Sequence, residues 1–463
     1  MTKRTNDLGN DSVKSLLFKL AAPAIAAQIV NMLYNLVDRI YIGHIPDVGA
    51  AALTGVGVTM PIIMLISAFS ALIGMGGAPR ASIKMGQKDN EGASRILGNC
   101  FATLLIISVL LTIFFLAFGE QMLMMFGASE NTIVYATQYM NIYVCGTIFV
   151  QLALGLNPFI STQGFATTSM MTVLIGAVIN IVLDPILIFG FGMGVRGAAL
   201  ATILSQAVSA IWVLKFLFSK KSVLRLRKNI IRIDPKIILP VLALGVSPFI
   251  MQSTESLLNV VFNSSLQRHG GDIAVGSMTI LTSMMQLFLL PIMGLTQGAQ
   301  PIIGYNYGAQ NNHRVKEAFK LLLTCSMTFV TIFWLTMMLV PQIFIGLFTP
   351  DTALIEYTAW AVRIYLAGQL VMGAQLACQQ TFIAIGQAKI SLFLALLRKI
   401  ILLIPLIYIL PNFFDNKVFG VFLAEPVADI MATTVTVIMF SFQFTRVLKA
   451  NELPKKKECG DNA

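Results

Sequence analysis

Gly176–Leu187 reads GAVINIVLDPIL, an apolar run that places Asn180 and Asp184 four residues apart. On a helix that spacing puts both polar groups on one face. Pro185 follows at once. It lacks an N–H and its ring crowds the carbonyl of Ile181, so the helix is expected to bend near Asp184. An acid inside such a run is costly in lipid, usually faces the protein interior and tends to mark an ion or substrate path. The plain alternative is a protonated Asp184 that only hydrogen-bonds a neighbouring helix.

The rest of the chain has the same apolar character. Of 463 residues, 56% are hydrophobic and 11% charged, with a mean hydropathy of +0.79. A soluble domain averages about 25% charged residues, so this is an integral membrane protein. Lys and Arg outnumber Asp and Glu by 32 to 21. In a membrane protein that excess reads first as topology, and no nucleic-acid partner is expected. The Gly-Lys phosphate loop, HExxH and GxSxG are absent, and His44, His269 and His313 fall in separate connections. ATP-driven transport by this chain alone, metallohydrolysis and enzyme activity in general are therefore not expected. Cys100, Cys145, Cys325 and Cys378 lie in apolar runs and Cys459 near the end, which argues against a disulfide framework. No signal peptide is read at the start, because the opening polar stretch leads into an apolar run longer than an h-region.

A membrane span needs about 20 mostly apolar residues. That criterion predicts an all-α membrane protein with helices near 16–44, 50–77, 96–118, 132–156, 166–191, 195–218, 237–266, 273–303, 317–340, 353–384, 388–411 and 418–446. Spans one to six form a first lobe over 1–218. A basic linker follows over 219–236, then a second lobe over 237–446 and a tail over 447–463. Lys3, Arg4, Lys14 and Lys19, then Arg80 to Arg95, the seven bases between Lys220 and Lys236, Arg314 to Lys320, and Lys449 with Lys455–Lys457 share one side. The positive-inside rule makes that side, with both termini, cytoplasmic. The linker alternatively binds anionic lipid.

The second half repeats the first. Pro79 precedes Gly86-Gln-Lys-Asp89-Asn90 by seven residues, as Pro301 precedes Gly308-Ala-Gln-Asn311-Asn312. Ile142-Tyr143-x-x-Gly146 matches Ile364-Tyr365-x-x-Gly368, Gly164 matches Gly386, and Pro23 and Pro248 sit alike in spans one and seven. Six spans per unit give both halves the same orientation. They should be related by an axis along the membrane normal, with a cavity between them.

Span one carries Gln28, Asn31, Asn35 and Asp38 as one polar stripe, and span six carries Thr202, Ser205, Gln206 and Ser209 on one face. Asp38 and Asp184 lie at similar depth, on the order of 10 Å inside the outer helix ends. Two carboxylates sharing a poorly solvated site cannot both ionise cheaply, which suits a proton carrier. The same acids with Asn180 and a helix carbonyl would also hold Na⁺. Asp38 has a competing reading as a partner of Arg39 or Arg196. Span seven repeats the stripe as Gln252, Glu255, Asn259 and Asn263, but Ile404-Pro405 stands where span five has Asp184-Pro185. Ion coupling is therefore expected mainly in the first half. Glu255 is expected to contact substrate, and Glu425 and Asp429 to be substrate contacts or simply partners of Arg398 or Lys399. Gln28, Asn31, Asn35, Gln206, Glu255, Asn259 and Gln286 are the candidate cavity residues. Twenty-four Met residues and 10% aromatics suit a pliable cavity, which with acids inside would favour lipophilic cations.

The span-one stripe ending NLVD at Asp38, NPFISTQG from Asn157 and VINIVLDPIL from Val178 resemble the multidrug and toxic compound extrusion (MATE) transporters, in their DinF-like branch. The resemblance covers nearly the whole chain. It implies a two-lobed bundle that exports cationic drugs and dyes in exchange for H⁺ or Na⁺, working as a monomer without an enzymatic cofactor. It also implies an ion site at Asp38, Asn157, Asn180, Asp184 and Thr202. Of the second-lobe site found in the NorM branch, only Glu255 is matched, since span ten offers Gln369, Gln379 and Gln380 but no acid. The main alternative is a lipid-linked oligosaccharide flippase of the same superfamily, which would need bases in its cavity.

Overall fold

The computed structural model describes residues 6–452, except the side chain of Ser256. Lys3, Arg4, Lys455–Lys457 and Cys459, which entered the orientation and cysteine arguments, lie outside the described residues. No strand occurs among the described residues. Nine helical runs are long and apolar enough to cross a membrane, and two bent helix pairs qualify as further spans. The longest run, Pro235–Gly308, is two helices joined at Gly271, whose φ of 65° breaks the helical path. Twelve spans result among the described residues, as the hydropathy of the chain predicts.

Spans one to three are Val13–Gly43, Gly49–Gly86 and Asn90–Met125, and spans five and six are Ala166–Gly190 and Val195–Phe218. Spans seven and eight run over 235–270 and 272–308, and span nine is Asn312–Leu339. Spans eleven and twelve are Ala388–Phe413 and Lys417–Glu452. Span four is the pair Ile133–Cys145 and Thr147–Thr162, bent by 59°, and span ten the pair Thr352–Tyr365 and Gln369–Ala384, bent by 51°. The repeated Ile-Tyr-x-x-Gly motif marks both bends. A Cβ on Gly146 would meet the Ile203 side chain, and one on Gly368 would meet Pro426 backbone, so each bent span presses on the sixth span of its lobe. The sequence reading ended span four at 156. The helix instead continues to Thr162 with Pro158 inside it, which brings Asn157 into a span.

The Gly86 and Gly308 motifs make two kinds of contact. Each ends a helix, turns through a left-handed residue (Lys88, φ 62°; Gln310, φ 59°) and caps the next helix. Asp89 accepts from Gly92 N at 2.8 Å and Asn311 from Arg314 N at 3.3 Å. Each glycine also lies flat against the opposite lobe. A Cβ on Gly86 would overlap the carbonyl oxygen of Tyr305, and one on Gly308 that of Ile83. Residues 83 and 305 occupy equivalent positions in the two repeats, so the contact is reciprocal, as an axis relating two like halves requires. Gly245 against Leu72 and Gly298 against Ala21 continue the seam deeper. All lie within about ten residues of the helix ends that carry the termini, or roughly 15 Å. That end of the bundle is closed.

An N-terminal strap reinforces the closure. Asn6 donates to Gly164 O at 3.0 Å in the first lobe, while Asn306 donates to Leu8 O at 2.9 Å and Arg314 to Asp11 O at 2.6 Å in the second. Leu16, Leu17 and Leu20 of span one bury themselves with Ile302, Leu322 and Phe382. The basic linker is held on the first lobe: Gln163 Oε1 accepts from Ser222, Val223 and Leu224, and Leu224, Leu226 and Ile230 are buried there.

Gly86→Ala and Gly308→Ala should each weaken this seam by about 1–3 kcal/mol, the usual cost of overpacking. The two losses should be alike because the contact is reciprocal. Gly57→Ala, which meets nothing within 4 Å, is the control. Thermal unfolding of the purified variants in detergent checks this, and a Gly86→Ala melting point equal to that of Gly57→Ala would refute it.

Candidate ion-coupling site and cavity

Four of the five expected coupling residues meet between spans one, five and six. Asp184 is 0% exposed and Asp38 7%. Their carboxyl groups are close enough to share a hydrogen bond. Asn180 Nδ2 donates to Asp184 Oδ1 at 3.3 Å and lies 3.5 Å from Thr202 Oγ1, which itself donates to Ala198 O at 3.0 Å. Asp38 Oδ1, Asp184 Oδ2 and Asn180 Oδ1 are buried and have no hydrogen-bond partner. Pro185 explains the local backbone: the helix passes into a π-helical turn over Ile186–Gly190 directly after it.

No Lys or Arg forms an ion pair with Asp38 or Asp184 among the described residues. The competing reading of Asp38 does not match the geometry. Arg39 is exposed and reaches Met60 Sδ at 3.7 Å, and Arg196 lines a surface groove with Glu120. Tyrosines stand where a base would have been. Tyr34 lies near both acids, and Tyr139 lies near Asp38 and against Thr202 and stacks on Tyr143 with ring centroids 6.1 Å apart. The sequence reading missed all three. The available signal was register: Tyr34 falls on the polar stripe of span one, between Asn31 and Asp38.

Asn157, the fifth coupling residue, sits in the wall of the central cavity. Its Oδ1 accepts from Thr172 Oγ1 at 3.0 Å and its Nδ2 donates to Ser169 O at 3.3 Å. The cavity holds about 400 Å³ between the lobes and is lined by Gln28, Asn31, Asn35 and Gln206 of the expected set, with Gln252, Gln297 and Gln300 from the second lobe. A side pocket of about 40 Å³ leads from Asn31 and Asn157 to Gly176, one helical turn from Asn180.

Glu255, Asn259 and Gln286 do not line this cavity. Glu255 instead pairs with Lys399. The expected acidic, methionine-rich lining is also replaced. No lining residue is charged, and Met75 and Met170 are the methionines among them. The carboxylates stand behind the wall, next to Tyr34, and amides and hydroxyls face the space.

An uncharged cavity of mixed polar and apolar lining between two repeated six-helix lobes, with a buried acid pair beside it, fits a membrane transporter. Residues 23–186 and 248–409 match MatE, and the chain belongs to that family. It is 25% identical over 435 residues to "Multidrug export protein MepA" of Staphylococcus saprophyticus, covering 92% of this chain and 95% of that protein. The fold is similar to a solved "MATE in the bent conformation" at TM-score 0.91 and 23% identity, covering 98% and 100% of the two chains. It is also similar to an "outward-facing conformation of a multidrug resistance MATE family transporter" at TM-score 0.89 and 23% identity, with the same coverage.

Asn180→Ala removes the amide that donates to Asp184, and an orphaned buried acceptor costs about 1–3 kcal/mol. An ionised Asp184 needs that donor more than a protonated one does. The melting point should therefore fall more at alkaline than at acid pH. An equal drop at both would show that the amide serves packing only.

Proposed function

We propose that the chain is a secondary active multidrug exporter. It moves lipophilic and cationic drugs and dyes out of the cell in exchange for H⁺ by alternating access of its two lobes. The observation that carries this reading is the direct contact of Asp38 with Asp184 in a buried wall without a base. Two carboxylates there share charge at high cost, and a proton removes it. Na⁺ is the alternative coupling ion, with oxygen ligands from Asp38, Asp184 and Asn180. The name of the MepA relatives, multidrug export protein, supports the same activity. Both termini lie in the cytoplasm in this reading, so the closed seam faces inward and the cavity belongs to an outward-facing state. The chain works as a monomer: residues 1–218 form one lobe and 237–446 the other, joined by the linker 219–236.

The exchange follows from competition. A cationic drug in the amide-lined cavity is attracted by an ionised pair behind Tyr34, and protonation removes that attraction. Drug and proton thus favour opposite states, and the bias equals their differential binding. The uncharged lining explains breadth, because amides and hydroxyls donate or accept for many solutes. A lipid-linked oligosaccharide flippase would need a base for its anionic headgroup, and the cavity wall has none.

Asp184→Asn keeps size and hydrogen bonding but cannot carry a proton. Ethidium binding should persist, while vesicle export driven by a pH gradient falls about 5- to 150-fold, the range of typical couplings. Asp38→Asn should match it, and the double variant should be little worse than either. Near-normal efflux by Asp184→Asn, or transport that follows only a Na⁺ gradient, would reject proton coupling at this pair.

The seam must open if the lobes alternate. A Cβ on Gly304 would stand 3.1 Å from that of Ser82, so a shift of a few tenths of an ångström brings the pair to the roughly 3.5–4.5 Å Cβ separation of a disulfide. Oxidation of Ser82→Cys/Gly304→Cys should arrest export, and a reductant should restore it. Full export by the cross-linked protein would rule out opening at this seam.

A further inference from the structure

The second lobe holds a charged cluster that exchange at Asp38 and Asp184 leaves unused. On span eleven, Arg398 donates from Nε to Asp429 Oδ1 at 2.7 Å and from Nη2 to Glu425 Oε1 at 3.0 Å. Glu425 and Asp429 lie one turn apart on span twelve and are 6% and 1% exposed. Lys399, the next residue along, donates to Glu255 of span seven and to Met251 O at 2.7 Å. Tyr365 of span ten faces the same acids. The side chains of Arg398 and Lys399 are largely buried, whereas that of Glu255 is half-exposed.

Three carboxylates therefore meet two bases. With all five ionised, the cluster carries one surplus negative charge, shared between the two buried acids and the half-exposed Glu255. Arg398 engages one oxygen of each span-twelve acid. The others, Glu425 Oε2 and Asp429 Oδ2, are buried without a partner. A proton on either oxygen makes it a donor and cancels the surplus charge in one step. A metal ion with its hydration shell has no room, since the void beside Arg398 and Lys399 is about 10 Å³, roughly the space of a single water. Both bases sit on a π-helical stretch, Leu397–Leu403, a geometry that recurs at functional sites. A route also exists, because Glu255 is one turn from Gln252, which lines the cavity.

We propose that Glu425 and Asp429, held by Arg398 and reached through the Glu255–Lys399 pair, form a second proton-binding site that loads and releases one proton per transport cycle. The site stands on charge and geometry; its place in the cycle rests on the exchange proposed above.

Infrared difference spectra between acid and alkaline pH, on the full chain in lipid nanodiscs, read protonated carboxyl groups directly. Asp38→Asn/Asp184→Asn should keep one carboxylic-acid band. Adding Glu425→Gln or Asp429→Asn should abolish it. Adding Glu255→Gln should abolish it too, because the charges then balance, and this half-exposed position keeps the test open if the buried variants misfold. Absence of the band in the starting double variant, or its survival in all three additions, would overturn the site. In vesicles, protons moved per ethidium exported should drop by one in Glu255→Gln on the otherwise native chain. An unchanged ratio would show a static proton and overturn its part in the cycle. If the native chain exports no ethidium, the exporter reading fails, and the infrared bands still decide the site.

Discussion

The contact on which the architecture depends is glycine against carbonyl across the seam between the lobes. Gly86 meets the backbone at Tyr305 and Gly308 meets it at Ile83, so helices two and eight touch without intervening side chains. In lipid there is little hydrophobic drive between helices, and association comes from close packing of small residues. Such a surface is also flat and has few interlocking side chains. Two rigid bundles can therefore meet closely here and part again with little repacking. The strap from Asn6 to Asp11 and the buried start of span one add further contacts to the closed end.

The acid pair lies at the other end of the bundle from that seam. Asp38 lies five residues from the end of span one and Asp184 just before the bend of span five, while the seam occupies the opposite helix ends. On the proposed exchange, a change of charge at the acids would reach the seam through whole helices, since the cavity between them has no charged side chain in its lining. Rigid spans suit that task. Span one carries the polar stripe and, about two turns nearer its start, the leucines that lock into the second lobe.

Periodicity and composition made most of this legible. Twelve spans, the repeat and the acid pair follow from apolar run length, a matched loop and polar residues at helical spacing. The loop motif was legible as a repeat but not as an interface, because a glycine that ends a helix and one that admits a neighbour look the same in one dimension. Apolar run length ends span four at 156, one residue short of Asn157, yet the helix continues through Asn157 and Pro158 to Thr162. Glu255 was read as a substrate contact because it is the lone acid on its stripe. Its partner Lys399 lies 144 residues away on span eleven, and no local pattern joins the two. The neutral cavity wall had the same cause: a stripe gives the face of a helix, not which of its residues a neighbouring tyrosine covers.

The two lobes share a backbone plan and differ in electrostatics. In the first, two acids meet with no base paired to them among the described residues, which is what the proposed exchange of a mobile cation needs. In the second, Arg398 and Lys399 hold three acids almost in balance, and the span-five acid is replaced by Ile404. Fixed bases lower the cost of a buried carboxylate but cannot leave, whereas a proton can. Driving a two-state protein from 1:99 to 99:1 takes about 5.5 kcal/mol of differential binding. A mobile charge in a dry site supplies energy of that order more readily than a permanent ion pair, whose attraction is present in both states. On the proposed exchange, the lobe without bases responds most strongly, and the lobe with them titrates against a charge its bases already nearly balance.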